Sequence, residues 1–245
     1  MPDSYTAIER DSINGDYKFS IRSILSEAWD KTSGAKWPIH LAFLYYFLVM
    51  LAIVGVGTVA SLALMSAPGL GEQTMPMFMS FLLQIGINLI ALPMMMGIMI
   101  IGIKRSVNSP IDANSVFHYF PKMFSLLLTL ILMYILVSIG LLLLILPGIY
   151  LIVAYYMALP LVVEKGMSPW EALETSRKAI SRHWFRMLGF FIIAGIIITI
   201  SAIPLGIGLI WSLPMIIIAY GILYRNMFGV EAVTSEASEI DQEPL

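Results

Sequence analysis

The chain has no cysteine in 245 residues, which excludes disulfides, thiolate metal centres and cysteine nucleophiles and leaves the redox compartment unreadable. Charge is nearly as scarce. Asp, Glu, Lys and Arg make up 12% of residues, about half of the ~25% usual in a soluble domain. Nucleotide loops, nucleophile elbows, zinc motifs and paired catalytic carboxylates are missing too, so the sequence implies no cofactor and no recognisable catalytic centre. A net charge of −2 argues against a nucleic-acid partner, which a basic surface would attract. What the sequence does have is apolar mass. Hydrophobic residues reach 59% and mean hydropathy is +0.86, so lipid is the solvent for most of the chain.

The few charges divide the sequence. Uncharged stretches run over Trp37–Gly71, Gln73–Ile103, Met123–Val163 and Met187–Tyr224. A spanning helix needs about 20 residues. The last two stretches are 41 and 38 residues long, twice what one crossing needs, and each is interrupted near its middle, by Pro147-Gly148 and by Pro204-Leu205-Gly206. Both therefore read as tight helical hairpins. The spacing predicts six helices over 39–65, 76–103, 123–146, 149–163, 187–203 and 207–227. The polar start lacks the features of a cleavable signal, so the first span is expected to stay as an anchor.

Orientation follows from the basic residues, which are retained in the cytoplasm during insertion. All 14 fall before the first helix, between helices two and three, between four and five, or at the helix ends facing those segments. The opposite loops hold only Glu72. Both termini are expected in the cytoplasm.

A repeat is visible when the segments are aligned. Each even helix carries a similar proline, in Ala91-Leu92-Pro93, Ala158-Leu159-Pro160 and Ser212-Leu213-Pro214, and each odd helix follows a polar or amphipathic stretch. The expected fold is all-α: a polytopic bundle of six transmembrane helices in three two-helix units, each preceded by a cytoplasmic amphipathic helix. Residues 1–37 form the N-terminal segment with an interfacial helix. Residues 38–229 form the membrane domain, with interfacial helices near 111–120 and 168–183. Residues 230–245, acidic and without a basic residue, are expected to be disordered.

The amphipathic segments are the most informative soluble parts. Ile21, Ile24, Leu25, Ala28 and Trp29 recur at helical spacing. Ala113, Val116, Phe117 and Phe120 form a shorter stripe. Ser168-Pro169-Trp170-Glu171 has the signature of a helix start, and Lys178, Arg182 and Arg186 fall on one face of the helix it opens. Helices of this type lie in the headgroup layer. Trp170, Arg177, Lys178, Arg182, Trp184 and Arg186 are the candidate contacts for anionic lipid or a protein partner, set against the plain positive-inside pattern of any membrane protein. Within the spans, Gln84 and Asn88, four apart, are the strongest polar pair. They suit either interhelical hydrogen bonding or a small polar cavity. His40, His118 and His183 each precede or open an odd helix, which fits interfacial anchoring better than a metal site, for which convergence is required. Met94, Met95 and Met96 project in different directions and fit gap filling.

One stretch carries a resemblance. Leu146-Pro147-Gly148-Ile149-Tyr150, Ala158-Leu159-Pro160-Leu161-Val162-Val163, Ser168-Pro169-Trp170-Glu171-Ala172-Leu173 and His183-Trp184 resemble a widespread set of bacterial six-helix membrane proteins. They also resemble the membrane domain preceding the catalytic domain of some glycerophosphodiester phosphodiesterases. Tyr17 to Trp29 matches the opening helix of the same family more loosely. The resemblance implies the bacterial cytoplasmic (inner) membrane and no assigned chemistry, since the sequence has no counterpart of the phosphodiesterase catalytic domain. The expected partners are membrane lipids or a membrane protein complex. The expected role is non-enzymatic contact at the cytoplasmic face, with a small permease whose cavity lies near Gln84 and Asn88 as the alternative.

Overall fold

A computed structural model describes residues 7–65 and 74–230. The acidic tail and the loop holding Glu72 lie outside the described residues. Within them every regular element is helical, as expected of a chain that must satisfy its backbone without water. Two short helices, α1 (Ala7–Asn14) and α2 (Ile21–Thr32), precede the long hairpin of α3 (Lys36–Met65) and α4 (Thr74–Ser106). The second hairpin pairs α5 (Met123–Leu143) with α6 (Ile145–Ala154) and α7 (Ala158–Glu164), which together form one span. Next come α8 (Pro169–Ser181) and the third hairpin, α9 (Trp184–Ala202) and α10 (Leu209–Phe228).

Six helical stretches are long and apolar enough to cross a membrane: Lys36–Ala63, Phe81–Ser106, Ala113–Leu143, Ile145–Glu164, Trp184–Ala202 and Leu209–Phe228. The three that carry the Leu-Pro element are interior. Their most apolar windows are 44, 50 and 61% buried, against 11, 17 and 17% for the odd spans. The odd helices thus form the lipid-facing rim, and the proline-bearing helices form the centre, where neighbouring helices compensate the backbone bonds that proline removes.

Three local expectations are corrected. The turn of the second hairpin is not at Pro147-Gly148 but at Leu144, a single extended residue (φ −160°, ψ 141°). Pro147 lies in the first turn of α6, where its missing N–H would have had no partner anyway. The segment at 111–120 is not an amphipathic α-helix but two short 3₁₀ turns, Ala113–Phe117 and Phe120–Lys122. Asp112 starts the first by accepting from the Asn114 N–H, and Gly97 of α4 lets the backbone of Ser115 and Val116 press against the helix. Finally, the helix opened by Ser168-Pro169 ends at Ser181, and a break at Arg182-His183 puts Arg186 on α9, so Lys178 and Arg186 do not share a helix face.

Helix α8 packs one side firmly against the bundle. It buries Ala172, Leu173, Thr175, Ser176, Ala179 and Ile180 and runs antiparallel along α6, with Ser176 beside Ala154 and Ser181 beside Tyr150. Helix α10 packs mainly on α4 and α2. The Lys36 ammonium stands 5.3 Å from the centre of the Trp211 ring.

Candidate functional site

Charged residues gather where the even helices end. Helix α2, capped by Ser20, whose hydroxyl accepts from the Ser23 N–H at 3.4 Å, presents Ile24 and Ala28 to the core and turns Glu27 toward α10. Arg225, in the last turn of α10, donates to both Glu27 oxygens at 2.8 and 3.0 Å and to the Ser106 carbonyl at 2.6 Å. One guanidinium therefore ties α2 to α10 and caps the negative end of α4. Arg105 donates to the carbonyls of Lys31 and Ser33 at 2.9 and 2.6 Å, and Lys31 to Asn108 at 2.6 Å. Tyr224 donates to Glu164 at 2.7 Å, and Lys122 caps Val163 at 2.6 Å.

The bond from Arg225, helped by the charges of Arg225 and Lys31, holds the Glu27 carboxyl below its ordinary value of 4.5. A carboxylate whose folded value is depressed contributes stability that is complete above the unfolded value and disappears as pH falls through the folded one. The detergent-solubilised protein is therefore expected to lose thermal stability below about pH 4.5. Glu27→Gln should flatten that decline and cost about 1–2 kcal/mol at neutral pH, the discount reflecting partial exposure of the pair. Melting midpoints across pH 3 to 8 measure both (~5 pH units of range). An acid limb of equal depth in the variant would assign the sensitivity to other groups.

The predicted basic cluster separates into two halves. Arg177 grips Glu174 through two bonds of 2.8 and 2.7 Å, and Lys178 reaches the same carboxylate at 3.3 Å. The Arg177 bond, followed by the two positive charges, lowers the Glu174 pKa, and Arg177 is correspondingly raised. Arg182 and Arg186 are exposed and pair with no carboxylate among the described residues. Between them Phe185 is 83% exposed, and Trp170 also faces outward. Trp184 is half-buried and donates its indole N–H to the Tyr150 carbonyl at 3.2 Å.

The histidines serve local contacts. His40 bonds the Lys36 carbonyl of its own helix at 2.7 Å, and His118 ends the first 3₁₀ turn. His183 bonds the Gly15 carbonyl at 3.0 Å while its ring meets Tyr17 edge-on. Tyr17 donates to the Ala179 carbonyl at 3.2 Å, and its burial holds the phenol above its ordinary value against the opposing pull of Arg186. The N-terminal segment is thereby strapped to the α8–α9 corner. Among the described residues no group of His, Asp or Glu could hold a metal ion.

The fourth span is broken at Tyr155–Met157. Pro160 has no N–H for the Tyr156 carbonyl, and the backbone turns rather than continuing. Ser176 of α8, fully buried, repairs the gap: its hydroxyl donates to the Ala154 carbonyl at 2.7 Å and accepts from the Met157 N–H at 3.1 Å. Beside the break is a pocket of about 280 Å³ lined by Met96 and Met99 of α4, Met133 of α5, Ile152, Tyr155, Tyr156, Leu159 and Pro160 of the fourth span, and Tyr220 of α10. Gln84 and Asn88 are not among its lining residues. Gln84 is exposed, and the Asn88 amide donates to the Gln84 carbonyl at 2.7 Å within α4.

Helices, rim and centre together define a multi-pass membrane protein whose proline-bearing spans are internal. Comparison with protein families, with curated proteins and with solved structures finds no match.

Proposed function

We propose that the protein works by contact rather than catalysis, binding anionic lipid headgroups or a membrane complex at its charged face. It would do so in a bacterial inner membrane, with both termini in the cytoplasm. The observation that carries this reading is the exposed pair Arg182 and Arg186 around the outward Phe185. Two cations with no carboxylate partner among the described residues, beside an exposed aromatic, suit a phosphate-bearing, apolar interface. Arg177 and Lys178 share the single carboxylate of Glu174 and contribute less. The likeness to the membrane domain of some glycerophosphodiester phosphodiesterases supports the location and adds no activity. A permease with a cavity near Gln84 and Asn88 has less support, since one is outward and the other bonded within its helix.

The test is the anionic lipid retained after mild-detergent purification, quantified by mass spectrometry. Each exposed arginine is worth about 1 kcal/mol near an anionic surface, so Arg182→Gln with Arg186→Gln should reduce retention by about tenfold or more. Arg177→Gln with Lys178→Gln should change it little. Equal retention in the two double variants would remove the assignment.

A further inference from the structure

The pocket at the broken fourth span is chemically unlike the charged face. Its walls come from four spans, and among the described residues no charged side chain lines it. It therefore offers nothing to an inorganic ion or a zwitterion. Three of its walls are methionines, whose flexible thioethers adapt to a mobile apolar guest. The mouth is flanked by Ile152 and Tyr156, 53 and 41% exposed, on an outer surface that also shows Tyr134, Ile135 and Ile192. A ligand arriving there comes from the bilayer rather than from water.

Tyr220 supplies an independent sign of a ligand. It is 4% exposed, lines the pocket, and meets Tyr156 edge-on at 5.4 Å. Its hydroxyl makes no hydrogen bond with the described residues, although the neighbouring Tyr224 reaches Glu164. The phenol is 4% exposed and has no partner among the described residues, so an acceptor bound in the pocket would supply the hydrogen bond it lacks. The helix break sharpens the point, because irregular backbone at membrane depth is tolerated where it is buried in protein or lines a cavity, and interrupted helices mark binding sites in other membrane folds.

We propose that this pocket binds a fatty-acyl chain whose carbonyl or carboxyl oxygen accepts a hydrogen bond from Tyr220. A volume of about 280 Å³ is just below the ~300–1,000 Å³ typical of ligand pockets and accommodates one chain segment, not a whole phospholipid. The headgroup of an esterified lipid would remain outside, past Ile152 and Tyr156. This site is separate from Arg182 and Arg186, so either assignment can fail while the other stands.

The test uses the full chain in phosphatidylcholine vesicles, labelled in separate arms with diazirine-bearing palmitate and with diazirine-acyl phosphatidylcholine, and mapped by mass spectrometry. Crosslinks are expected in peptides containing Met96, Met99, Met133 or Tyr156. Labelling by palmitate alone identifies a free fatty acid, and labelling by phosphatidylcholine identifies a lipid tail. Tyr220→Phe, which keeps the ring and removes only the hydroxyl, should weaken labelling roughly three- to tenfold. Ile152→Trp should reduce it by filling the mouth. The proposal is overturned by crosslinks confined to the outer faces of α3, α5 and α9, or by pocket labelling unchanged in Tyr220→Phe. Displacement by geranylgeraniol but not by oleate would also overturn it, by assigning the pocket to an isoprenoid.

Discussion

Replacing Gly221 by alanine is expected to cost about 3 kcal/mol or more, beyond the usual ~1–3 kcal/mol of an overpacked core, and to leave little folded protein after detergent extraction. The size of the effect comes from what the new methyl would meet. A Cβ on Gly221 would overlap the Gly102 carbonyl and stand 2.6 Å from the Ile103 nitrogen, and a Cβ on Gly102 would overlap the Ile217 carbonyl. These obstacles are backbone atoms within two helices, so no rotamer change relieves them. The helices must separate. That separation would disturb the largest contact between spans and, one turn further on, the Arg225 bonds to Ser106 and Glu27. Small residues serve membrane bundles by permitting such close approach, since lipid gives helices no hydrophobic drive to associate. Gly195→Ala is the control: a methyl there meets nothing within 4 Å and should be neutral or slightly stabilising. Comparable melting midpoints for the two variants would show that the α4–α10 crossing is not the constraint it is taken to be.

Much of this architecture was legible in the chain because lipid makes charge placement nearly binary. The uncharged runs located all six spans, and the Leu-Pro elements at Pro93, Pro160 and Pro214 singled out the helices that become interior. Of the glycines, Gly57, Gly97 and Gly102 have close neighbours, whereas Gly55 and Gly195 face open space. Long-range polar pairing was not legible. Glu27 and Arg225 are 198 positions apart, and nothing in either neighbourhood specifies the other. The break at Tyr155–Met157 was hidden for a different reason. No charged residue marks it, and the residue that makes it tolerable, Ser176, belongs to a helix whose polar positions suggested exposure to water. In α8 two of those positions, Thr175 and Ser176, are fully buried. Amphipathicity revealed the helix but misplaced its polar residues.

Ser176 is accordingly the second position where a small change should have a large effect. Ser176→Ala removes one oxygen that completes two backbone hydrogen bonds, to Ala154 and Met157. Neither group has a continuing helix to return to, because the chain turns between them, and water does not reach a fully buried site. An unpaired buried donor or acceptor costs about 1–3 kcal/mol, so losing the partner of both should cost about 2–4 kcal/mol. Thr199→Ala is the matched comparison. Its hydroxyl bonds the Gly195 carbonyl one turn back on an exposed helix, where the backbone ladder remains intact, and its loss should be nearly silent. Because Ser176 fixes the segment that presents Tyr155 and Tyr156 to the pocket, Ser176→Ala should also lower acyl-chain crosslinking at Tyr156 relative to Thr199→Ala. Hydrogen exchange gives the most direct reading: amides from Val153 to Leu159 should exchange faster in Ser176→Ala, while those of α10 keep their protection. Uniform acceleration across all helices would instead mean that the variant unfolds as a whole and that Ser176 does not act locally at the break.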